Sequence, residues 1–298
     1  MKGFPGYIRG GFWMLVSCFC YAGAASVARK IGGSYSPYEL TLIRALVAVS
    51  MMAPLYLREG GSLLFWPKRM FMHFLTGVFT FFGIVFWFKA TAFMPIADFF
   101  ALQFVTPLLT IAFAIMFLGE RSDLKCWVAT LVGFGGVLII LRPGIISVSF
   151  ASIAALMSAV FYASDNTVIK SLSRSASPTM IVYFAHLLLI PISLPFAILE
   201  WRTPEFEDLG NILLVSLLLT TAYLTITKAI SLTVAQIVQP VNFMRMPIAA
   251  VFGWILFSEF PDVWTWVGAI IIFFAATYAV SQGTDIPKSS DKHEALPS

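Results

Sequence analysis

Charge is what this sequence has least of. Only 11% of its 298 residues are Asp, Glu, Lys or Arg, against about 25% in an ordinary soluble protein. Histidine occurs three times and cysteine three times. Cys18, Cys20 and Cys126 all lie in apolar runs without metal spacing, and read as small packing residues. No glycine loop of phosphate-binding type, no zinc-ligand spacing and no nucleophile with a neighbouring base is found. These absences argue against ATP hydrolysis, a resident metal, a cofactor and enzymatic catalysis. The net charge of +4 invites a nucleic-acid reading, but the basic residues concentrate in alternate loops, as in membrane proteins.

What is abundant is apolar. Hydrophobic residues make up 59% of the chain and the mean hydropathy is +0.88. A membrane helix needs about 20 mostly apolar residues. That template predicts an all-α membrane protein of ten spans, at 10–28, 37–57, 70–92, 96–118, 124–141, 149–169, 179–199, 209–229, 234–257 and 263–281. The first span follows Lys2 and Arg9 as a signal peptide would, but it is long and others follow it, so it is read as retained. Residues 282–298 form a polar tail. The amino terminus, even-numbered loops and tail hold twelve Lys and Arg residues; the odd-numbered loops hold Arg29, Lys30, Lys89, Arg142 and Arg202. Both termini are therefore expected in the cytoplasm, with the chain in the inner membrane.

The chain repeats itself. Tyr21, Ser36-Pro37 and Pro54 recur 141 residues later as Tyr162, Ser177-Pro178 and Pro195. Lys89-Ala90, Glu120, Asp123 and Trp127 recur 139 residues later as Lys228-Ala229, Glu259, Asp262 and Trp266. Two units, 10–141 and 149–281, each carry five spans, and an odd number inverts the second against the first. Inverted repeats place a transport site near the midplane between them.

These Glu-x-x-Asp-x-x-x-Trp repeats, with Pro107, Pro240, Ser36-Pro37 and Arg44, resemble the ten-helix, EamA-type branch of the drug/metabolite transporter superfamily. Glu39, Arg44, Asp165 and Glu259-Phe260-Pro261-Asp262 make the chain similar to bacterial S-adenosylmethionine uptake transporters. The resemblance implies a secondary transporter working by alternating access. In the ninth span this chain departs from that pattern, with Asn242 and Arg245 where the resemblance implies an arginine and an acid. Riboflavin-like and other metabolites therefore stand beside S-adenosylmethionine as expected substrates, in uptake or efflux. A lipid-handling membrane protein is the alternative of another class.

Arg245 is the leading site residue. An arginine within a span is costly unless it faces protein, substrate or water. Gln239, Asn242 and Arg245 recur every three residues, and the repeat sets Gln103 opposite Asn242 and Thr106 opposite Arg245. Two amides and a guanidinium on one cavity suit a carboxylate or a polar heteroaromatic ring; an ion pair holding two helices is the structural alternative. Tyr162 and Trp87 are expected to line the cavity, with Phe86 a further candidate beside Trp87, although core or lipid contact is the default for the aromatics of the third span. Pro107, Pro240 and Pro247 each remove a helix hydrogen bond.

Arg44, Asp165 and His186 are candidates for coupling or gating, with a proton as the coupling ion. Each has a structural reading: Arg44 pairs with Asp98 or Glu39, Asp165 pairs near Lys170 at the interface, and His186 merely packs. Asn166 is expected to point away from Asp165. Glu120, Asp123, Glu259 and Asp262 are expected to cap loops, and Gly133, Gly135 and Gly136 to permit close helix packing. A small-molecule substrate and membrane lipids are the expected partners.

Overall fold

The computed structural model describes residues 6–60, 67–118, 124–142, 149–232, 241–242 and 244–282. Gln239, Pro240, Glu120 and Asp123 lie outside them, as do the side chains of Pro107, Cys126 and Trp127. Among the described residues all regular structure is helical. The helices are α1 (Gly6–Ile31), α2 (Pro37–Arg58), α3 (Met70–Phe93), α4 (Ile96–Gln103), α5 (Val105–Leu118), α6 (Leu124–Leu141), α7 (Phe150–Leu172), α8 (Pro178–Leu199), α9 (Phe206–Leu232), α10 (Arg245–Phe257) and α11 (Val263–Gln282). Among the described residues seven spans, counting α4 and α5 as one, are long and apolar enough to cross a membrane. The chain is a multi-pass membrane protein. Its outer surface carries large apolar side chains, including Phe71, Phe117, Leu199 and Phe206, as a lipid-facing surface requires.

The repeated Ser-Pro pairs explain two helix starts. Ser36 and Ser177 are the N-caps of α2 and α8, each accepting a backbone N–H, with proline at the first helical position. Each serine also donates to the other helix's far end: Ser36 Oγ to Glu200 Oε2 at 2.6 Å, and Ser177 Oγ to Glu59 Oε2 at 2.9 Å. Glu59 and Glu200 are the C-cap residues of α2 and α8. The two helices are therefore antiparallel, and the two contacts are exchanged by the internal repeat.

The same exchange recurs in the core. Ser17 of α1 donates to the Ala222 carbonyl of α9 at 3.1 Å; its counterpart Ser158 of α7 donates to the Gly83 carbonyl of α3 at 2.9 Å. Thus α1 packs along α9 as α7 packs along α3, and each half completes its core with helices of the other. The α6–α11 pair closes the bundle through a near contact of backbones. A Cβ on Gly136 would sit 2.9 Å from the Gly268 carbonyl oxygen, and one on Gly268 would sit 2.6 Å from that of Gly136. Gly133 is also tightly packed, against Leu108, whereas a Cβ on Gly135 would meet nothing within 4 Å; that expectation is corrected, because Gly135 faces away from α11.

One end of the bundle is tied across the repeat. Arg29 donates through Nη1 to Glu259 Oε2 at 2.8 Å and to the Met94 carbonyl at 2.7 Å, while Nη2 donates to Glu259 Oε1. Arg142 pairs with Asp262 at 2.6 Å, and Thr265 donates to Asp98 Oδ1 at 2.8 Å. Ser258, at φ 55°, ends α10 in the left-handed region, and Glu259 N–H returns to the Gly253 carbonyl at 3.2 Å. This turn delivers the Glu259 carboxylate to Arg29. Glu259 and Asp262 are thus ion-pair partners as well as loop residues.

Candidate functional site

Two helices are interrupted close to the repeat-related amides Gln103 and Asn242. The predicted fourth span is interrupted at Phe104, between α4 and α5, where its N–H bonds three residues back to Ala101. In the described part of the predicted ninth span the chain turns at Met244, whose N–H bonds three residues back to Val241. Arg245 opens α10 directly after this turn. Interrupted helices are a common way to bring polar backbone and side chains to a buried site.

A cavity with about 650 Å³ of space between atoms, mouth included, lies against both breaks. Its lining contains Trp87, Gln103, Tyr162, Asn242 and Arg245 together, and also Asp165. Tyr21, Phe99, Phe100, Phe104 and Tyr223 add rings, and Asn166 adds an amide. Asn166 therefore does not point elsewhere: it lies four residues after Tyr162 and shares its helix face. Phe86 stays out of the lining and stacks on Phe161 with centroids 5.9 Å apart.

Arg245 is half-buried, its guanidinium carbon 4.2 Å from the Tyr21 ring centroid. Its Nε and Nη2 have no hydrogen-bond partner among the described residues. The Tyr21 ring lies against the guanidinium and helps to hold it in the cavity wall. Gln103 is arranged differently. Its Nε2 donates to the Ala155 carbonyl of α7 at 3.2 Å, and its Oε1 accepts from Thr106 at 3.1 Å. It anchors α4 to α7 while facing the cavity. Trp87 is buried and meets Phe99 edge-on at 5.9 Å, and Phe99 meets Phe100 edge-on at 5.1 Å.

Asp165 is buried, at 1% exposure. Its Oδ2 accepts from Tyr223 at 2.8 Å and from Thr80 at 3.3 Å, while Oδ1 has no partner among the described residues. Arg44 and His186 do not line the cavity; they are buried, and His186 packs edge-on against Tyr223 at 5.4 Å. The expected partners of Arg44 are corrected. Asp98 is engaged with Thr265, and Glu39 accepts from Arg202 N–H at 3.3 Å. Among the described residues no carboxylate lies within ion-pair distance of Arg44, because its side chain leaves the helix end that holds Glu39 and enters the core.

Tyr21 and Tyr223 were not singled out by sequence as cavity residues. Tyr21 carried a signal, since it is the repeat counterpart of Tyr162. Tyr223 carried none, because its counterpart, 139 residues earlier, is Ile84. A larger cavity, about 990 Å³ with its mouth, lies at the end of the bundle near the α1–α2 loop. Its cations are already engaged: Lys89 lies 5.6 Å from the Tyr38 ring centroid and Arg202 donates to the Ser34 carbonyl at 3.2 Å.

Comparison with known proteins agrees with this architecture. The sequence profile of the EamA-like transporter family matches twice, at residues 8–142 and 149–281. A riboflavin transporter of Vibrio cholerae serotype O1 is 30% identical over 276 residues, covering 91% of this chain and 92% of that protein. An S-adenosylmethionine uptake transporter of Rickettsia felis is 25% identical over 288 residues, covering 97% of each. One solved crystal structure superposes with a TM-score of 0.64 at 18% identity, covering 91% of this chain and 94% of that one, a likeness of fold.

Proposed function

Because the chain belongs to the EamA-like transporter family, we propose that it carries a small polar or zwitterionic metabolite with a flat ring across the inner membrane by alternating access. The observation that supports this reading is Arg245, set against Tyr21 in the cavity wall with two N–H donors that have no partner among the described residues. Arg245 would bind a carboxylate, carbonyl or ring acceptor of the substrate in its planar fork. Asn242, Gln103 and Tyr162 would orient the substrate, and Trp87 and neighbouring rings would cover its faces. Transport is by passage through ten crossings, five in each unit (10–141 and 149–281), with both termini and the polar tail in the cytoplasm.

The two substrate chemistries named for the relatives would meet this lining differently. A riboflavin-like heteroaromatic fits rings, amides and a guanidinium. An S-adenosylmethionine-like sulfonium cation is opposed by Arg245, although Asp165 lies in the same wall. The test is a thermal-shift screen of the purified protein with riboflavin, S-adenosylmethionine and a metabolite panel, followed by flux of the hits into liposomes. Saturable flux of a ring-bearing metabolite supports the reading. Binding of lipids alone, with no solute flux, would replace it with a lipid-handling role.

A further inference from the structure

The repeat supplies an internal control for the polar groups behind the cavity. Arg44, Thr80, Asp165, His186 and Tyr223 come from α2, α3, α7, α8 and α9, and each is at most 3% exposed. Their counterparts at the same two offsets are Ala185, Leu219, Ala24, Ala45 and Ile84. All five counterparts are fully buried, and Ala24, Ile84 and Leu219 share one apolar cluster. The fold therefore builds this arrangement of helices twice, once with no polar side chain at these positions. Packing does not require a buried arginine, carboxylate and imidazole here, and their burial is expensive.

The polar groups are also incompletely satisfied. Arg44 Nε and Nη1, Asp165 Oδ1 and His186 Nε2 have no hydrogen-bond partner among the described residues. His186 Nδ1 lies 2.8 Å from the Val182 carbonyl, so this nitrogen is the donor and Nε2 of the neutral ring is an acceptor. Tyr223 joins two of these groups, donating to Asp165 at 2.8 Å and packing edge-on against His186 with centroids 5.4 Å apart. Asp165 and Tyr223 are in the cavity wall, so the cluster opens on the substrate site.

We propose that Arg44, Asp165, His186 and Tyr223 form a proton-binding site joined to the substrate cavity, with Asp165 the group that takes the proton. This rests on the transporter reading above. One proton passes from cavity water to Asp165 Oδ1, the carboxylate becomes a carboxylic acid, and the cluster gains one positive charge; release returns the proton to water. Arg44 supplies the fixed charge that holds the cluster neutral when Asp165 is ionised. The titratable and charged groups around Asp165 are Arg44 from α2, His186 from α8, Tyr223 from α9, Tyr21 from α1, Tyr162 on α7 itself, and Arg245 of α10 across the cavity. α3 contributes the Thr80 hydroxyl and, two turns earlier on the same face, the buried His73 imidazole.

Infrared spectra of the purified, substrate-free protein at acid and alkaline pH test proton binding directly. The expected result is a carboxylic-acid carbonyl band that grows on acidification, disappears in Asp165→Asn and survives in Glu39→Gln. A band unchanged by Asp165→Asn would overturn the proposal. Should Asp165→Asn fail to fold, Tyr223→Phe removes the donor at 2.8 Å; it must shift the band, and an unshifted band also overturns the proposal. Liposome flux of riboflavin and S-adenosylmethionine tests coupling. Asp165→Asn should lose the response of flux to a pH gradient, whereas Glu39→Gln should keep it. A response retained in folded Asp165→Asn would overturn coupling. If neither probe moves, the substrate reading fails and the infrared result decides the proton site alone.

Discussion

Replacing Arg245 by alanine tests the substrate site most directly. The guanidinium Nε and Nη2 have no partner among the described residues, and the group rests on Tyr21 at 4.2 Å. A hydrogen bond to a charged group contributes about 1.5–3 kcal/mol, so losing the paired contact should weaken binding about 10- to 150-fold. Arg245→Lys keeps the charge without the planar fork and should fall between, with roughly tenfold weaker binding. Removing the cation–π contact should lower stability by about 0.5–2 kcal/mol, which folded protein survives. Tyr21→Phe should leave binding near wild type, and Tyr21→Leu should weaken it by removing the platform. The assay is ligand-induced quenching of tryptophan fluorescence, since Trp87 lines the cavity, with thermal denaturation run in parallel. Wild-type affinity in folded Arg245→Ala would refute the substrate role. Collapse of both the Ala and Lys variants would make the arginine a structural element.

Other perturbations probe the frame that holds the site. Gly268→Ala places a methyl 2.6 Å from the Gly136 carbonyl oxygen, and backbone cannot yield cheaply; thermal denaturation should show a loss of about 1–3 kcal/mol. Ser258→Gly relieves a non-glycine residue at φ 55° and should raise the melting temperature by the equivalent of about 1 kcal/mol, with unchanged flux. Arg29→Ala and Glu259→Ala should each loosen the tied end, and their double-mutant cycle should return a coupling of about 1 kcal/mol; additive effects would show that the pair is incidental.

The frame was legible because its signals are local. Long apolar runs mark spans, and Ser-Pro marks two helix starts with a cap and a preset first turn. The fixed offsets exposed the duplication and set Gln103 against Asn242, which the structure brings to one cavity. What local pattern misses is contact across helices. Arg44 invited pairing with Glu39 because the two are near in sequence, yet its side chain is buried in the core and Glu39 accepts from Arg202 instead. Asn166 was misread from its adjacency to Asp165, although its spacing from Tyr162 already placed it on the cavity face. Tyr223 and Thr80 could not be found by repeat at all, since their counterparts are Ile84 and Leu219; they occur on one side only.

The crossed packing of α1 with α9 and of α7 with α3 makes the two halves of this chain unable to stand apart. Severed between residues 142 and 149, each fragment would present Ser17 or Ser158 to hydrocarbon with its acceptor on the other piece. A lesion in one half is therefore a lesion in both. The molecule has no autonomous subunit to rescue, and biosynthesis must deliver the last helices before the first have a finished partner surface.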